Sequence, residues 1–249
     1  GDWDGDGDAD LLVGNKIADD GSETARVFAF ENVGGAGEAK FQARGAIPIE
    51  GSYHFAPALG DLDGDGFAEL LLGTWQDGIL VYRNRGSDGT GLDRWSADPE
   101  ATVSLSRGSN SVPTLGDVDG DGDLDLVSGE SSGELNLWLN VGTKSSPEFV
   151  LATDRWGEVD AGRRSAPVLA DWDGDGDADL LLGSESEGVT LWNLEPSDSG
   201  FRLVRAAGIV PEAPTFATPA VLDLEHDGDP DLFIGGIGGG VVLFENLVR

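Results

Sequence analysis

Five short stretches of the sequence carry carboxylates on alternate residues. The first reads Asp2-Trp3-Asp4-Gly5-Asp6-Gly7-Asp8-Ala9-Asp10, and close copies begin at Asp61, Asp117, Asp171 and Asp223. Counted from its first Asp, each stretch has acids at positions 1, 3, 5 and 9 and glycine at position 6. Alternate side chains of a tight loop can turn onto one centre, and glycine permits the left-handed turn that folds the loop back. A hard divalent cation wants about six to eight oxygen ligands at ~2.3–2.6 Å, which is what such a loop offers. The predicted chemistry is calcium binding, up to five ions in all. The side-chain ligands are Asp2, Asp4, Asp6 and Asp10; Asp61, Asp63, Asp65 and Glu69; Asp117, Asp119, Asp121 and Asp125; Asp171, Asp173, Asp175 and Asp179; and Asp223, Glu225, Asp227 and Asp231. Position 7 supplies a backbone carbonyl, from Asp8, Phe67, Asp123, Asp177 and Asp229.

Two other readings of these acids fail on physical grounds. An EF-hand loop starts similarly but needs a bidentate Glu at position 12 and flanking helices. Position 12 here is Val13, Leu72, Ser128, Leu182 or Ile234, and no segment shows sustained helical periodicity. Metal-free solvated turns would leave five clusters of like charge repelling themselves with no local cation.

Acids outnumber bases 47 to 15, a formal charge of -32, which disfavours phosphate backbones and anionic headgroups as partners. No Cys is present, which excludes disulfides, thiolate metal sites and cysteine nucleophiles. No apolar run is long enough to insert into a membrane. The chain also lacks Met, so it is expected to be a processed chain or an excerpt of a longer one.

The loops are punctuation in a larger repeat, spaced 59, 56, 54 and 52 residues apart. Around each, four apolar pieces recur in order. Piece A precedes the loop and carries a Pro, as in Phe55-Ala56-Pro57-Ala58-Leu59. Piece B follows as an unbroken apolar run ending in Gly, such as Leu70-Leu71-Leu72-Gly73, the pattern of a strand buried on both faces. Piece C ends in an aromatic residue (Phe30, Tyr82, Trp138, Trp192, Phe244), with Asn two positions later in all copies but the fourth. Piece D is looser, as in Lys40-Phe41-Gln42-Ala43, with Trp95 and Trp156 marking it in the second and third copies. Four short antiparallel strands per repeat make a propeller blade. The predicted fold is an all-β β-propeller of four-stranded antiparallel blades, five repeats forming one domain over 1–249, with the first and last blades incomplete. Closure by exchange of the two termini does not work with these pieces, so a longer array of seven or eight blades is expected, or self-assembly with other copies.

The loop pattern Asp-x-Asp-x-Asp-Gly-x-x-Asp resembles the FG-GAP or VCBS-type repeats of integrin α-chain propellers and many bacterial secreted proteins, over essentially the whole chain. That resemblance implies calcium in the A-to-B loop of each blade, on the face opposite the usual ligand-binding loops. Two departures limit it. The Phe-Gly and Gly-Ala-Pro signatures shrink to Ala-Pro or Val-Pro, so an integrin-like partner does not follow, and the fifth loop, with Glu225, His226 and Pro230, is atypical.

Residues that recur in every copy suit packing, whereas a binding site should differ between copies. Ahead of the A-strand Pro the copies diverge: Tyr53-His54-Phe55, Ser109-Asn110-Ser111, Arg163-Arg164-Ser165 and Thr215-Phe216-Ala217. The D-to-A and B-to-C loops of a propeller gather on one face. Tyr53, His54, Arg163, Arg164 and Phe216, with Trp75 from a B-to-C loop, are therefore the candidate ligand residues. Aromatic rings and guanidinium groups suit sugar rings and carboxylates, so the expected partner is a polysaccharide or a protein loop. No catalytic grouping can be assembled around the two histidines, His54 and His226. The reading is a secreted recognition or adhesion module with structural calcium, filled at the millimolar concentrations found outside cells. The alternatives are a propeller scaffold for a carbohydrate-active enzyme and a subunit of a fibre joined by strand exchange.

Overall fold

The fold was obtained as a computed structural model, which describes residues 1–17, 24–34, 39–49, 53–86, 91–143, 145–185, 187–197, 200–206, 216–224 and 228–246. Among the described residues, eighteen strands form five antiparallel sheets. The first contains β1 (Leu11–Gly14), β2 (Val27–Asn32) and β3 (Phe41–Ala46). The second runs β4 (Ala56–Gly60), β5 (Glu69–Gly73), β6 (Ile79–Asn84) and β7 (Trp95–Ala97). The third runs β8 (Val112–Gly116), β9 (Asp125–Gly129), β10 (Leu135–Asn140) and β11 (Phe149–Thr153). The fourth runs β12 (Ala166–Ala170), β13 (Asp179–Gly183), β14 (Val189–Ser197) and β15 (Gly200–Arg205). The last holds β16 (Thr218–Leu222), β17 (Asp231–Gly235) and β18 (Val241–Phe244). β1 packs on β4, β4 on β8, β8 on β12 and β12 on β16, so the blades follow one another in chain order. This is the β-propeller predicted, with three four-stranded blades between two three-stranded ones.

The hydrophobic pattern builds the interfaces between blades more than the blades themselves. Each of the four core clusters straddles one junction; Val127, Leu135 and Leu137 of the third blade, for example, meet Leu180 and Leu182 of the fourth. Full burial of such a side chain stabilises by about 1.5–3 kcal/mol. β5, β9 and β13 are buried along their whole length, as their unbroken apolar runs require, whereas β1 is only half-buried because β2 alone pairs with it.

The glycines that end the first four B strands are dictated by the neighbouring blade. A Cβ on Gly14, Gly73, Gly129 or Gly183 would lie 2.0, 2.0, 2.1 or 2.2 Å from the carbonyl oxygen of Phe55, Ser111, Ser165 or Ala217. Each glycine therefore marks where the next blade's backbone passes, and any side chain would push two blades apart.

Three details depart from expectation. Trp156 is not in strand D but in a short 3-10 turn (Trp156–Glu158) after β11, buried against the core of the third junction. Of the five C-strand aromatics only Trp138 is fully buried; the others are partly buried, and Tyr82, Trp192 and Phe244 pack against the edges of the core clusters. In the fourth blade Leu194 occupies the place that Asn has elsewhere. Without that turn-making side chain, β14 runs on to Ser197 and pairs with β15 along a longer hairpin.

Candidate functional site

Four of the acidic stretches join an A strand to a B strand, and the first leads into β1, the B strand of its blade. The position 1 Asp organises each loop. In the first four, one of its oxygens accepts the N–H of the position 4 glycine, Gly5, Gly64, Gly120 or Gly174, at 2.6–2.8 Å. The other accepts the position 6 N–H, from Gly7, Gly66, Gly122, Gly176 or Gly228, at 2.9–3.1 Å in all five. Position 5 accepts the position 7 N–H in the first four loops, at 2.9–3.0 Å. The alternation of carboxylates and glycines thus closes the loop on its own backbone amides.

Position 9 ties the loop to the blade. Asp10, Glu69, Asp125, Asp179 and Asp231 are buried and open the second strand of the hairpin or immediately precede it. Each accepts the position 2 N–H, from Trp3, Leu62, Val118, Trp172 or Leu224, at 2.9–3.2 Å. In four blades the second oxygen accepts the backbone N–H of the C-strand Asn: Asn32, Asn84, Asn140 or Asn246. The Asn side chains of the first three of these accept N–H groups of the following turn, as Asn140 does from Gly142 and Glu148. The recurring Asn therefore links the acidic loop to the C-to-D turn.

These carboxylates are held where charge is costly. Burial pushes the carboxyls of Asp10 and Asp179 up to about 6, and burial also raises Asp4, Asp63, Glu69 and Asp125. Neighbouring carboxylates add to the rise in each. Ligand oxygens of Asp2, Asp4 and Asp6; of Asp61, Asp63 and Glu69; of Asp117, Asp119 and Asp125; and of Asp171, Asp173 and Asp175 lie within 4.8 Å of one another. Oδ1 of Asp63 is buried and receives no hydrogen bond among the described residues. A buried, undonated carboxylate oxygen beside two further carboxylates fits a cation, and an all-oxygen donor set fits a hard one. The second loop differs in one respect: Arg83 stands 3.8 Å from Asp63 and is anchored by Asp98 at 2.9 Å. In the fifth loop Asp223 accepts the Gly228 N–H and Asp231 accepts those of Leu224 and Asn246, as their counterparts do, while Glu225, His226 and Asp227 lie outside the described residues.

A family model for the FG-GAP-like repeat matches residues 2–72, 61–128, 117–182 and 171–234. The chain belongs to the FG-GAP-like repeat family. Each matched unit runs from one acidic loop to the B strand of the next blade. A stretch of 137 residues, 51% of this chain, is 31% identical to integrin alpha-4 of Xenopus laevis. That stretch amounts to 13% of the integrin chain, so this FG-GAP chain spans a small part of its relative.

On the opposite face of the FG-GAP blades, each D-to-A loop lies along the B-to-C turn of the blade before it. The N–H groups of His54, Asn110, Arg164 and Phe216 donate to the carbonyls of Lys16, Trp75, Ser131 and Glu185, at 3.0–3.4 Å. Trp75, Ser131 and Glu185 donate onward to the carbonyls of Tyr53, Ser109 and Arg163, in the D-to-A loop that leads into their own blade, so each B-to-C turn is held between two such loops. To fit this ladder, His54, Asn110, Arg164 and Phe216 all adopt φ of 55–63°. The next residues, Phe55, Ser111, Ser165 and Ala217, are buried and structural.

The candidate ligand residues are brought together in part. Tyr53 meets Trp75 edge-on at 5.4 Å, and Arg164 stacks on Phe216 at 4.7 Å. Two members were missed from sequence. Lys16 lies over the Tyr53 ring at 5.3 Å, and Glu185 faces Arg163 and Arg164 at 3.6 and 4.0 Å. Both stand two residues beyond the B-strand glycine, the same register as Trp75, and that register was the available signal.

Proposed function

We propose that this chain is a calcium-loaded recognition module of the extracellular space or cell surface. Its ions brace the A-to-B loops, and its opposite face takes a protein or polysaccharide ligand. The observation that carries the reading is the set of acidic clusters, above all the buried, undonated Asp63 Oδ1 beside Asp61 and Glu69. Hard oxygen donors favour calcium, and exposed loops with a few carboxylates suit the millimolar range outside cells. The relation to an integrin α chain supports that setting, and no helix among the described residues is long and apolar enough to cross a membrane. The unlike residues on one backbone scaffold support recognition rather than catalysis, since a reaction needs one convergent set of groups.

Thermal unfolding in calcium, in magnesium and in chelator, with bound metal counted, tests the reading. A calcium-specific rise in Tm with about one ion per loop is expected, since occupancy at 100-fold excess over Kd adds about 2.7 kcal/mol per site. Equal stability in calcium and chelator, with no metal retained, would overturn it.

A further inference from the structure

We propose that Arg83 serves the second acidic loop as a resident cation, so that this loop is the last of the first four to fill with calcium. The proposal rests on the calcium reading above and ranks the sites within it. Arg83 follows the aromatic residue of its C strand, the place held by Glu31, Leu139, Asn193 and Glu245 in the other blades. None of those is basic. The Arg83 guanidinium donates to Asp98 at 2.9 Å, and Asp98 is fixed in turn by the N–H groups of Glu100 and Ala101 at 3.2 and 3.3 Å. Held there, Nη1 of Arg83 stands 3.8 Å from Oδ2 of Asp63, the position 3 acid. Among the described residues no basic side chain comes so close to the other position 3 acids Asp4, Asp119 and Asp173. In the first blade the residue at this place is itself an acid, Glu31, and it takes Arg44 in two hydrogen bonds at 2.6 and 2.7 Å.

The second loop is also bonded differently inside. In the first, third and fourth loops the position 5 N–H donates to the position 3 carboxylate at 3.2–3.3 Å. In the second, the N–H of Asp65 is directed to Asp61 instead, at 3.2 Å. Asp63 thus turns one oxygen to Arg83 and keeps the other, Oδ1, buried and without a donor. That oxygen lets the loop take a cation, but ion and guanidinium then share one carboxylate. Two positive charges so close repel, and at a partly exposed site this weakens calcium binding about ten-fold or more. Before the ion arrives, the same guanidinium offsets the repulsion between Asp63 and Glu69. Arg83 therefore steadies the empty loop and opposes the full one.

Calcium titration of the whole chain, followed by NMR, tests this through the glycine amides that each position 1 Asp holds. Gly64 and Gly66 report the second loop, Gly120 and Gly122 the third. Gly120 and Gly122 should respond first, and Gly64 and Gly66 only at about ten-fold higher calcium or more. Arg83→Leu, which copies the third blade's Leu139, should bring the two pairs to the same midpoint and lower the metal-free Tm. Arg83→Lys keeps the charge and should keep the order. If Arg83→Leu does not fold, Arg83→Gln gives the same comparison. Equal midpoints in the unaltered chain, or a second-loop midpoint that Arg83→Leu leaves unmoved while the third loop fills, overturns the proposal and leaves the calcium reading intact. A drop in Tm that is equal with and without calcium makes Arg83 a structural tie and likewise overturns it. Amides that ignore calcium in every loop, with no metal bound, bring down the calcium reading and this proposal with it.

Discussion

The stability that calcium confers should shrink as the pH falls from 7 to 5, by an amount the loop geometry sets. Asp10 and Asp179 are 3% and 5% exposed, and without a cation burial raises them from 3.8 to about 6. A raised folded-state value means that between pH 3.8 and 6 the folded chain holds protons that the unfolded chain has released. Protonation therefore favours the metal-free fold as the pH falls through 6, and the gain is complete below 3.8. A bound cation must displace that proton. From pH 7 to 5 the displacement lowers apparent affinity about ten-fold per loop, or about 1.4 kcal/mol, and about 3 kcal/mol for the two loops together. The assay is urea unfolding of calcium-saturated and metal-stripped protein at each pH, at fixed free calcium. Only the difference between the two is compared. His54 then cancels, although its own depressed value weakens folding as the pH drops from 6.5 towards 4. A calcium increment that stays constant between pH 7 and 5 would show that these carboxylates do not meet the ion.

Three further outcomes follow from the same geometry. Gly73→Ala, whose Cβ would sit 2.0 Å from the Ser111 carbonyl, should destabilise by about 3 kcal/mol or prevent folding; Gly66→Ala, at φ +89° in open space, should lose only about 1–2 kcal/mol by urea unfolding. Asp117→Ala removes a ligand and the acceptor of two glycine N–H groups, so both bound calcium, by one ion, and metal-free Tm should fall. Asn140→Ala leaves the amides of Gly142 and Glu148 without their acceptor and should lose about 1–3 kcal/mol in calcium and chelator alike, with metal stoichiometry unchanged.

The repeat itself was legible because its chemistry is local. Alternating Asp and Gly, an unbroken B strand and a C-strand aromatic each follow from a loop or a strand considered alone, and they located the blades and the acidic clusters. What stayed hidden depends on neighbours. The B-strand glycines look like turn punctuation until the next blade's carbonyl is seen beside them. The recurring Asn looks like a strand terminator, but its backbone N–H is held by the position 9 carboxylate. Trp156 was placed in a strand because an aromatic marks that strand elsewhere; its burial comes from the adjoining blade instead. On the opposite face, divergence between copies singled out Tyr53, His54, Arg163, Arg164 and Phe216. It gave no hint of Lys16 or Glu185, whose role arises only when two loops from successive blades lie side by side.

The left-handed positions of the ladder join it through their backbone N–H groups, the hydroxyls of Ser111 and Ser165 bracing the joint beside them, and those four positions hold an imidazole, an amide, a guanidinium and a phenyl ring. Side-chain identity at those positions is thereby uncoupled from the joint that carries them. Such a surface can be rewritten one position at a time without reworking the framework, much as interchangeable tips fit one handle. Lineages sharing this framework should diverge fastest at these positions, while the glycines opposite them stay fixed.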